Sequence, residues 1–356
     1  MSFHQQRTSV PRERQMEKGS DFIPARHTMP HLAILSFDHL HAFHYLECLT
    51  RMNTVHLAAV AEPDASRLAP HAQALSGVTV YADYQEMLGK ESLDGVIICA
   101  ANARHKEIVI DCARAGQAVL CEKPIATRTA DGREMLAICE AHDILFGICF
   151  PVRFSEPLHR AKKLVQQGGL GKVAAVKATN HGTMLGGWFA DPELAGGGAV
   201  MDHTVHVVDV LRWLFEAEFT RVFAHSATCL YEIPVEDCGL LTLEMSNGVF
   251  VSLDTSWSRP NRSFPIWGDV SLSIIGSEGV LDLDLFPWTL NLFSETVGKH
   301  LAIAHDGDLN QAMLENFSQA IQGQAKISAT GMDGLRALEV AEAAYRSIQD
   351  QKVIEL

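Results

Sequence analysis

Residues 118–124 read Ala118-Val119-Leu120-Cys121-Glu122-Lys123-Pro124, an apolar run that ends abruptly in two charged residues and a proline. Similar apolar runs occur between residues 31 and 150, at Leu32 to Leu35, Val55 to Val60, Gly95 to Cys99 and Ile144 to Phe150. Such runs are typical of strands in a parallel sheet that is covered on both faces. Helical patterns separate them, so residues 30–150 are predicted to form a Rossmann-type, doubly wound α/β domain. The predicted crossover helices are Leu40 to Arg51, Asp64 to Leu75, Arg104 to Ala115 and Thr129 to Ala141.

The pattern changes after Phe150 and predicts a second, α+β domain over residues 151–330. Helical patterns at about Ser155 to Gln167 and Ala199 to Phe215 precede a series of strand patterns. Turn sequences between alternating strands predict an open, mainly antiparallel sheet with helices on one face, and they are Ser246-Asn247-Gly248 and Gly276-Ser277-Glu278-Gly279. Residues 331–356 are predicted to form a C-terminal helix that returns to the body, and residues 1–29 a mobile N-terminal extension.

Composition narrows the possible function classes. The chain has 29 Lys and Arg against 43 Asp and Glu, a formal net charge of −14, so no nucleic-acid partner is expected. No apolar stretch approaches the roughly 20 residues of a membrane span, so no membrane partner is expected either. None of the eight cysteines is spaced as CxxC and several lie in apolar runs. This pattern predicts reduced core thiols and a cytoplasmic location.

Lys123 is the first candidate catalytic residue. Ligands of doubly wound sheets bind outside the carboxyl ends of the strands, and Lys123 follows the run that ends at Cys121. A lysine in that place can hydrogen-bond a substrate hydroxyl and stabilise the alkoxide-like charge that develops as hydride leaves. A solvated lysine at the exit of a strand is the alternative interpretation.

A glycine-rich turn, Gly196-Gly197-Gly198, introduces the second group of candidates. Three glycines let a backbone approach a ligand closely, and the predicted helix that follows carries Asp202 and His206 on one face. Histidine is the usual general acid or base near neutral pH, and a carboxylate one turn away can fix its tautomer. The alternative is an aspartate that complements the helix dipole beside an unrelated surface histidine.

The combination of Glu122-Lys123-Pro124 with this glycine-rich turn and Asp-x-x-x-His helix resembles the Gfo/Idh/MocA family of oxidoreductases. The resemblance covers essentially all of residues 31–350, including the Thr330-Gly331-x-Asp333-Gly334 start of the last helix. It implies an NAD(P)-binding domain and an open-sheet domain that contacts the substrate and often forms the oligomer interface. It also implies that Lys123 is the catalytic lysine on the nicotinamide side, His206 the acceptor of the hydroxyl proton and Asp202 its partner.

The turn after the first apolar run departs from the expected glycine-rich pattern. The three glycine positions carry Ser36, Asp38 and His41, and an aspartate repels a pyrophosphate unless a cation intervenes. The donors that glycine amides supply could be replaced by His39, His41 and His44; otherwise the dinucleotide binds in a shifted pose or not at all. Glu62 ends the second run, where an acid accepts hydrogen bonds from the adenosine ribose and favours NAD over NADP. Helix capping is the alternative role of Glu62.

The predicted site residues fall into two sets. Those for the cofactor follow the predicted strands, Asn102 and His105 being included on the resemblance, and are Ser36, Phe37, Asp38, His39, His41, Glu62, Ala101, Asn102, His105, Glu122 and Lys123. Those for the substrate mix flat apolar and hydrogen-bonding groups that suit a carbohydrate, and are Arg153, His181, Trp188, Asp202, His203 and His206. A lid, a subunit contact or the sheet core could use Trp257, Arg259, Arg262 and Trp267.

The leading prediction is an NAD(P)-dependent dehydrogenase or reductase that transfers a hydride at a hydroxyl-bearing carbon of a sugar, polyol or related compound. A homo-oligomer formed through the open sheet is expected. No metal is predicted, because His203 is rotated about 100° from Asp202 on a helix and the two cannot simply share one site. Two alternatives stay open: a lyase or glycoside-cleaving relative with a permanently bound nucleotide or a metal, and a non-catalytic sugar-binding protein with a decayed nucleotide site.

Overall fold

The computed structural model describes residues 27–264, 268–286, 289–294, 299–304 and 307–356, and only the backbone of the two strands between 287 and 306. Most of the predicted extension 1–29 lies outside the described residues, as does Trp267. The helices are α1 (His41–Arg51), α2 (Ala65–Leu68), α3 (Tyr84–Lys90), α4 (His105–Arg114), α5 (Thr129–Ala141), α6 (Glu156–Gln166), α7 (Pro192–Ala195), α8 (Ala199–Phe215), α9 (Leu309–Ile321) and α10 (Gly331–Asp350). The strands are β1 (His31–Leu35), β2 (His56–Ala61), β3 (Thr79–Tyr81), β4 (Gly95–Ile98), β5 (Ala118–Cys121), β6 (Phe146–Ile148), β7 (Val173–Gly182), β8 (Phe219–Ala227), β9 (Cys238–Met245), β10 (Phe250–Ser256), β11 (Gly268–Gly276), β12 (Val280–Asp284), β13 (Thr289–Ser294), β14 (Lys299–Ala304) and β15 (Ile354–Glu355).

The first sheet is parallel throughout, with the strand order β3-β2-β1-β4-β5-β6, which confirms the predicted Rossmann-type domain. Alternate residues of β1 enter two separate cores, which explains why its sequence is apolar without alternation. The strand order reverses between β1 and β4, and ligands of such sheets bind at this switch point, outside the carboxyl ends of the strands. We call the space between the turns that follow β1, β4 and β5 the crevice.

One predicted crossover helix is much shorter than expected. The helix predicted for Asp64 to Leu75 ends at Leu68, and a single 3-10 turn, Ala69–His71, follows it. Pro70 lacks a backbone N–H and cannot continue an α-helix, which accounts for the early end. The short α2 nevertheless matters for the site, because it holds Arg67 against the turn after β1.

The second sheet has the order β12-β11-β7-β10-β9-β8-β15 and is antiparallel except for the pair of β7 and β10. This confirms the predicted open, mainly antiparallel sheet, and both predicted turn sequences connect neighbouring antiparallel strands. One face packs against α8 and α10. The opposite face, called the open face below, exposes the apolar side chains of Leu240, Phe250, Ile275 and Val280.

The last two helices tie the domains together. Helix α9 packs on α1 and adds Leu314 and Phe317 to a core of the first domain. Helix α10 packs against α8 and β8 of the second domain and against α5 and β6 of the first. The domain boundaries at residues 150 and 330 stay predictions, and α9 lies between them although it packs on the first domain.

The cysteines follow the predicted pattern with two differences. Six of the eight are buried free thiols, whereas Cys229 is exposed and Cys238 is partly exposed. Among the helices of the described ranges, none has the length and apolar character that a membrane crossing needs. The cytoplasmic location stays a prediction.

Candidate active site

The carboxyl end of β5 carries Glu122 and Lys123 into the crevice. Both are buried, and the Glu122 carboxylate accepts hydrogen bonds from the Tyr45 hydroxyl at 2.7 Å and from His41 Nδ1 at 3.0 Å. Burial opposes ionisation of Glu122, but the nearby imidazoles of His39 and His41 and the ammonium of Lys123 lower its pKa below the usual value. The Glu122 carboxylate therefore holds α1 against the end of β5. The Lys123 ammonium instead extends to the opposite side of the crevice, towards α8.

The ammonium of Lys123 meets the first turn of α8. Lys123 Nζ lies 2.5 Å from Asp202 Oδ1 and 3.5 Å from the Asp202 carbonyl oxygen. The second carboxylate oxygen, Oδ2, accepts the indole N–H of Trp257 at 3.0 Å and lies 3.1 Å from His203 Nε2. Burial alone would raise the pKa of Asp202, but Lys123 and His203 hold it well below the ordinary value. Asp202 is therefore a buried anion beside Lys123.

His203 differs from the sequence expectation, because it shares the Asp202 site. Its Nδ1 donates to the Asn180 carbonyl oxygen at 2.9 Å, while Nε2 faces the Asp202 carboxylate. The imidazole is therefore held between a backbone carbonyl oxygen and the Asp202 carboxylate. The rotation between adjacent helix residues therefore did not keep the two side chains apart.

His206 lies one turn further along α8 and is not hydrogen-bonded to Asp202. Its side chain is buried, and Nδ1 has no hydrogen-bond partner among the described residues. Burial and the positive charge of Lys123 lower its pKa well below the ordinary value, so the imidazole is neutral near pH 7. A neutral imidazole with an unpartnered nitrogen can accept a proton, whereas the predicted direct pairing with Asp202 is absent from this arrangement.

Lys123 and His206 converge on one small cavity between the domains. The cavity has a volume of about 30 Å³, and its lining includes the three predicted catalytic residues together with His39, His41, Gly182, Thr183, Leu185 and His203. That volume holds about one water molecule or one hydroxyl group. The convergence on which the predicted mechanism depends is therefore present.

The glycine-rich turn before α8 serves internal packing. A Cβ on Gly198 would lie 1.9 Å from the Glu236 carbonyl oxygen, and one on Gly197 would lie 2.0 Å from the Tyr345 hydroxyl oxygen. Glu236 Oε1 accepts the N–H groups of Gly198 and Val200, and the Tyr345 hydroxyl donates to the same oxygen at 2.7 Å. Gly197 and Gly198 leave the space that a side chain would fill to other parts of the protein. They admit the partners that cap α8 and so position Asp202.

Two predicted substrate residues lie away from the cavity. The Arg153 guanidinium forms a buried bidentate pair with Asp209, at 2.8 and 2.6 Å, and also contacts Asp333. His181 lies on the open face, where its Nδ1 is 3.2 Å from Asp269 and its Nε2 is 3.3 Å from Asp254. The alternation of β7 explains this position, because Asn180 points towards α8 and His181 points away from it. Neither residue enters the proposed site.

Two tryptophans have defined contacts around the crevice. Trp188 reaches across from the second domain and donates its indole N–H to the Asp38 carbonyl oxygen at 3.0 Å. Trp257, for which a lid, a subunit contact or the sheet core were predicted, is almost completely buried and hydrogen-bonds Asp202. Arg259 pairs with Asp269 on the open face instead.

The turn after β1 contains no glycine and is held by internal hydrogen bonds. Ser36 occupies the first glycine position with φ +68°, a left-handed conformation that glycine adopts more readily. The backbone N–H of Phe37 donates to Glu62, that of Asp38 to the Ser36 hydroxyl and that of His39 to the Cys99 carbonyl. The N–H of His41 donates to His39 Nδ1. These amides, which would face a pyrophosphate in a glycine-rich turn, are already hydrogen-bonded within the protein.

The side chain of Asp38 takes the place that the second glycine leaves open. Its carboxylate accepts hydrogen bonds from Arg67 and from the Ala101 N–H, and lies 3.8 Å from the Arg104 guanidinium. Burial opposes ionisation of Asp38, but the hydrogen bonds from Arg67, Ser36 and Ala101 lower its pKa. Two guanidinium groups and a backbone N–H that hold an anion at a Rossmann switch point are the donor set that a dinucleotide phosphate needs. The residues therefore fit a dinucleotide, with a carboxylate standing in for phosphate.

Other predicted cofactor residues have structural partners. Both ring nitrogens of the fully buried His105 contact carbonyl oxygens, those of Pro124 at 2.9 Å and Ala100 at 3.0 Å. Asn102 donates to the Ala195 carbonyl oxygen at 2.9 Å across the domain boundary. His105 thus fastens the turns after β4 and β5 to each other, and Asn102 fastens the crevice to α7.

Two groups of side chains have the spacing of metal ligands, and neither includes Asp202 or His203, for which a metal was considered. Two groups in the described residues have ligand atoms within 4.8 Å of one another: His39, His41 and Glu122, and His44, Cys48 and Asp308. In each group the carboxylate already accepts hydrogen bonds from its neighbours. In neither group does the carboxylate need an ion to satisfy its hydrogen-bonding capacity.

Sequence reasoning missed several residues that build the site. Tyr45 anchors Glu122, Arg67 and Arg104 hold Asp38, and Glu236 and Tyr345 cap α8. Each acts across a long stretch of sequence, so no local spacing marks it. The aspartate at a glycine position was the one available signal, because a buried carboxylate requires a cation nearby.

Comparison with known proteins identifies the family. Residues 37–150 match the model of an oxidoreductase family with an NAD-binding Rossmann fold, and residues 158–282 match the Gfo/Idh/MocA C-terminal domain. The chain belongs to the Gfo/Idh/MocA family of NAD-binding oxidoreductases, which confirms the resemblance seen in its sequence.

Individual relatives are similar over most of their length. The chain is 24% identical over 327 residues to the myo-inositol 2-dehydrogenase of Thermotoga maritima, covering 88% of this chain and 94% of that enzyme. It is 27% identical over 280 residues to the 1,5-anhydro-D-fructose reductase of Ensifer adhaerens, covering 76% and 82%. Among solved structures, it shares the fold of the scyllo-inositol dehydrogenase of Lactobacillus casei with bound NAD(H) and scyllo-inositol. The TM-score is 0.78 at 20% identity, over 92% of this chain and 99% of that one.

Proposed function

We propose that this protein is an NAD-dependent dehydrogenase that oxidises a secondary hydroxyl of a sugar or polyol, or reduces the corresponding ketone. The observation that carries the proposal is the convergence of Lys123, Asp202 and His206 on one hydroxyl-sized cavity at the carboxyl end of β5. The named relatives that act on inositol and anhydrofructose support the substrate class.

His206 is the proposed general base. Its side chain lines the cavity, and its lowered pKa keeps the imidazole neutral and able to accept the hydroxyl proton. Phe150 packs edge-on against the ring, with 5.9 Å between ring centroids, and helps to keep water from it. Proton acceptance by a positioned base typically contributes a factor of roughly 10²–10⁴ to the rate.

Lys123 is proposed to hydrogen-bond the same substrate oxygen and to stabilise the negative charge that develops on it. The ammonium has three N–H groups, and Asp202 Oδ1 accepts one of them at 2.5 Å. Asp202 is thereby assigned to Lys123 rather than to His206: it orients the ammonium while Trp257 and His203 fix the carboxylate. When bound, a nicotinamide supplies the hydride acceptor, and the crevice residues named above would hold it.

NAD is proposed in preference to NADP because of Glu62. The carboxylate is fixed at the end of β2, where Oε2 accepts the Phe37 N–H at 2.6 Å and Oε1 accepts the Asp64 N–H at 2.9 Å. An acid at this position repels a 2′-phosphate on the adenosine ribose. Comparing initial rates with NAD and NADP under the same conditions measures the preference.

A homo-oligomer through the open face is also proposed. Leu240, Phe250, Ile275 and Val280 all lie on this face and are exposed by 41% or more. Phe250, Ile275 and Val280 lie in one row across β10, β11 and β12, with Ala175 of β7 between the first two. Apolar side chains exposed together on a sheet surface favour burial against a second surface. Sedimentation velocity of the purified chain tests this proposal, and a monomer at micromolar concentration would exclude it.

The test of the proposed function is a screen of polyols and sugars with NAD, followed by kinetics of Lys123→Met and His206→Gln. We expect each substitution to lower kcat/KM by about 10²–10⁴ while the protein folds normally. Circular dichroism and urea unfolding establish that the variants are folded.

Matched controls come from residues of the same type outside the crevice. Lys106 pairs with Asp131 and Glu134 on the surface, and His142 is exposed at the end of α5. Lys106→Met and His142→Gln should keep at least half of the activity. Retained turnover in Lys123→Met or His206→Gln would exclude the assigned roles.

A further inference from the structure

Asp38 places a negative charge at the switch point of the Rossmann sheet. It follows β1, and through its side chain it reaches Ala101, which follows β4. Strands β1 and β4 are neighbours at the point where the strand order reverses. Ligands of doubly wound sheets bind here, and the second glycine of the usual turn exists to let the pyrophosphate approach. The Asp38 side chain therefore projects towards the position of a bound phosphate.

The groups around this carboxylate are those that recognise phosphate. Arg67 comes from α2, Arg104 from the turn before α4 and the N–H of Ala101 from the end of the β4 segment. Arginine side chains and backbone N–H groups are both well suited to bind phosphate oxygens. Both guanidinium groups are partly exposed, so a ligand in the crevice can reach them.

Each of the two arginines also has an acidic neighbour other than Asp38. Arg67 lies 3.5 Å from Glu62 and 3.8 Å from Asp64, and Arg104 lies 3.3 Å from Glu107. Asp38 is the acid that bridges both guanidinium groups. The backbone amides of the turn cannot supply further donors, because those of Phe37, Asp38 and His39 are hydrogen-bonded internally.

We infer that Arg67, Arg104 and the Ala101 N–H form the phosphate-binding subsite of this chain, and that the Asp38 carboxylate occupies it as an internal competitor. The inference deepens the proposed function and rests on it for the identity of the ligand, a dinucleotide pyrophosphate. Binding requires the carboxylate to leave the arginines, so the apparent dissociation constant equals the intrinsic one divided by the fraction of molecules in which Asp38 has left the subsite.

The experiment is a titration of the full-length protein with NADH, followed by fluorescence and by calorimetry, for wild type, Asp38→Asn and Asp38→Gly. Removing the competing charge should tighten NADH binding about tenfold or more. ADP should show the same gain, whereas adenosine, which has no phosphate, should bind all three proteins equally. Asp64→Asn is the matched control, because it removes an exposed acid near Arg67 without touching Arg104, and it should change the affinity less than twofold.

The roles of Arg67 and Arg104 are tested in the Asp38→Asn variant, in which no carboxylate at position 38 competes for the two guanidinium groups. In Asp38→Asn, the further changes Arg67→Gln and Arg104→Gln should each weaken NADH and ADP binding about tenfold and leave adenosine unaffected. Urea unfolding checks that every variant is folded. Asp38→Asn and Asp38→Gly proteins that bind NADH no more tightly than wild type overturn the inference.

The outcomes separate this inference from the proposed function. If the wild type reduces NAD with a polyol but Asp38→Asn gains no affinity, only the phosphate subsite is wrong. If Asp38→Asn gains affinity and no sugar or polyol is turned over, the subsite stands and the proposed reaction fails. Absence of NADH binding in all variants overturns both.

Discussion

The two turns that border the active site differ in glycine content and in what occupies the space beside the backbone. The turn Ser36–His41 should contain glycines and has none, whereas the turn Gly196–Gly198 consists of glycines alone. In the first turn, side chains fill the space and accept hydrogen bonds from the backbone N–H groups. In the second, the missing side chains admit Glu236 and Tyr345, which cap α8. Glycine content therefore indicates where a close approach occurs, and the tertiary structure decides whether a ligand or the protein itself approaches.

The largest effect is expected for Gly198→Ala, which tests whether the second turn is an internal packing device. The new Cβ would lie 1.9 Å from the Glu236 carbonyl oxygen, a backbone atom that cannot move alone. Overpacking of this kind should lower the free energy of unfolding by about 3 kcal/mol. Urea unfolding measures the change.

The control for that substitution is Gly89→Ala. Gly89 lies in α3 with nothing within 4 Å of the added Cβ. Alanine there should raise the free energy of unfolding by up to about 0.5 kcal/mol, because Gly89 lies in the last turn of the helix, where alanine is still favoured over glycine. Equal effects of the two substitutions would show that the 196–198 turn has no special packing.

The free energy of unfolding at acid pH tests whether His39 and His206, the histidines near the two turns, are neutral. Burial lowers the pKa of His39 to about 3 and that of His206 well below its ordinary value of 6.5. A folded-state pKa below the unfolded one means that stability is complete above pH 6.5 and is lost as the pH falls. Each histidine should lower the free energy of unfolding by about 1.4 kcal/mol per pH unit below 6.5.

Urea unfolding between pH 6.5 and 5 measures this effect as a difference between each variant and the wild type, because other groups titrate there too, among them Asp209, whose burial raises its pKa to about 6. His39→Gln and His206→Gln should each lower the slope of the free energy of unfolding against pH by the contribution of one histidine, about 1.4 kcal/mol per pH unit. His142→Gln, which changes an exposed residue, should leave the slope as it is. A slope unchanged in His39→Gln would contradict the neutral state of that residue.

The smallest effect is expected for Ser36→Gly, which restores one glycine to the first turn. Relief of the left-handed strain at φ +68° outweighs the lost hydrogen bond to the Asp38 N–H and the greater chain entropy of glycine. The free energy of unfolding should rise by about 0.5 kcal/mol. The reciprocal change Gly248→Ser, at φ +86° in an open hairpin, should lower it by about 1 kcal/mol. A loss of stability in Ser36→Gly would show that the Ser36 hydroxyl matters more than its backbone strain.

Much of the fold could be predicted because each element carries its own signal. The buried parallel strands have unbroken apolar runs, and helix α8 was predicted with its observed limits, Ala199 to Phe215. The helix predicted for residues 64–75 is shorter than expected, because Pro70 cannot continue an α-helix although the residues around it have a helical pattern. Helix α9 was not predicted, and its apolar face meets α1 across more than 250 residues of sequence.

The candidate site was predictable in its residue types and less so in its pairings. Lys123, Asp202 and His206 do line one cavity, but Asp202 pairs with Lys123 and His203 instead of His206. A spacing of i and i+4 places two side chains on one face of a helix. It does not decide which of them meets a partner from another domain, because charge neutralisation of a buried carboxylate outweighs a local contact.

The sequence by itself determined the two-domain plan, the lysine at a strand end and the histidine helix, because hydrophobic periodicity and short motifs are local properties of the chain. Only the tertiary structure decided that Arg153 and His181 lie away from the cavity and that Asp38 lies between two arginines. The physical reason is that an ion pair depends on distance in space and on burial. Both are set by how α2, α4, α8 and the sheets pack together.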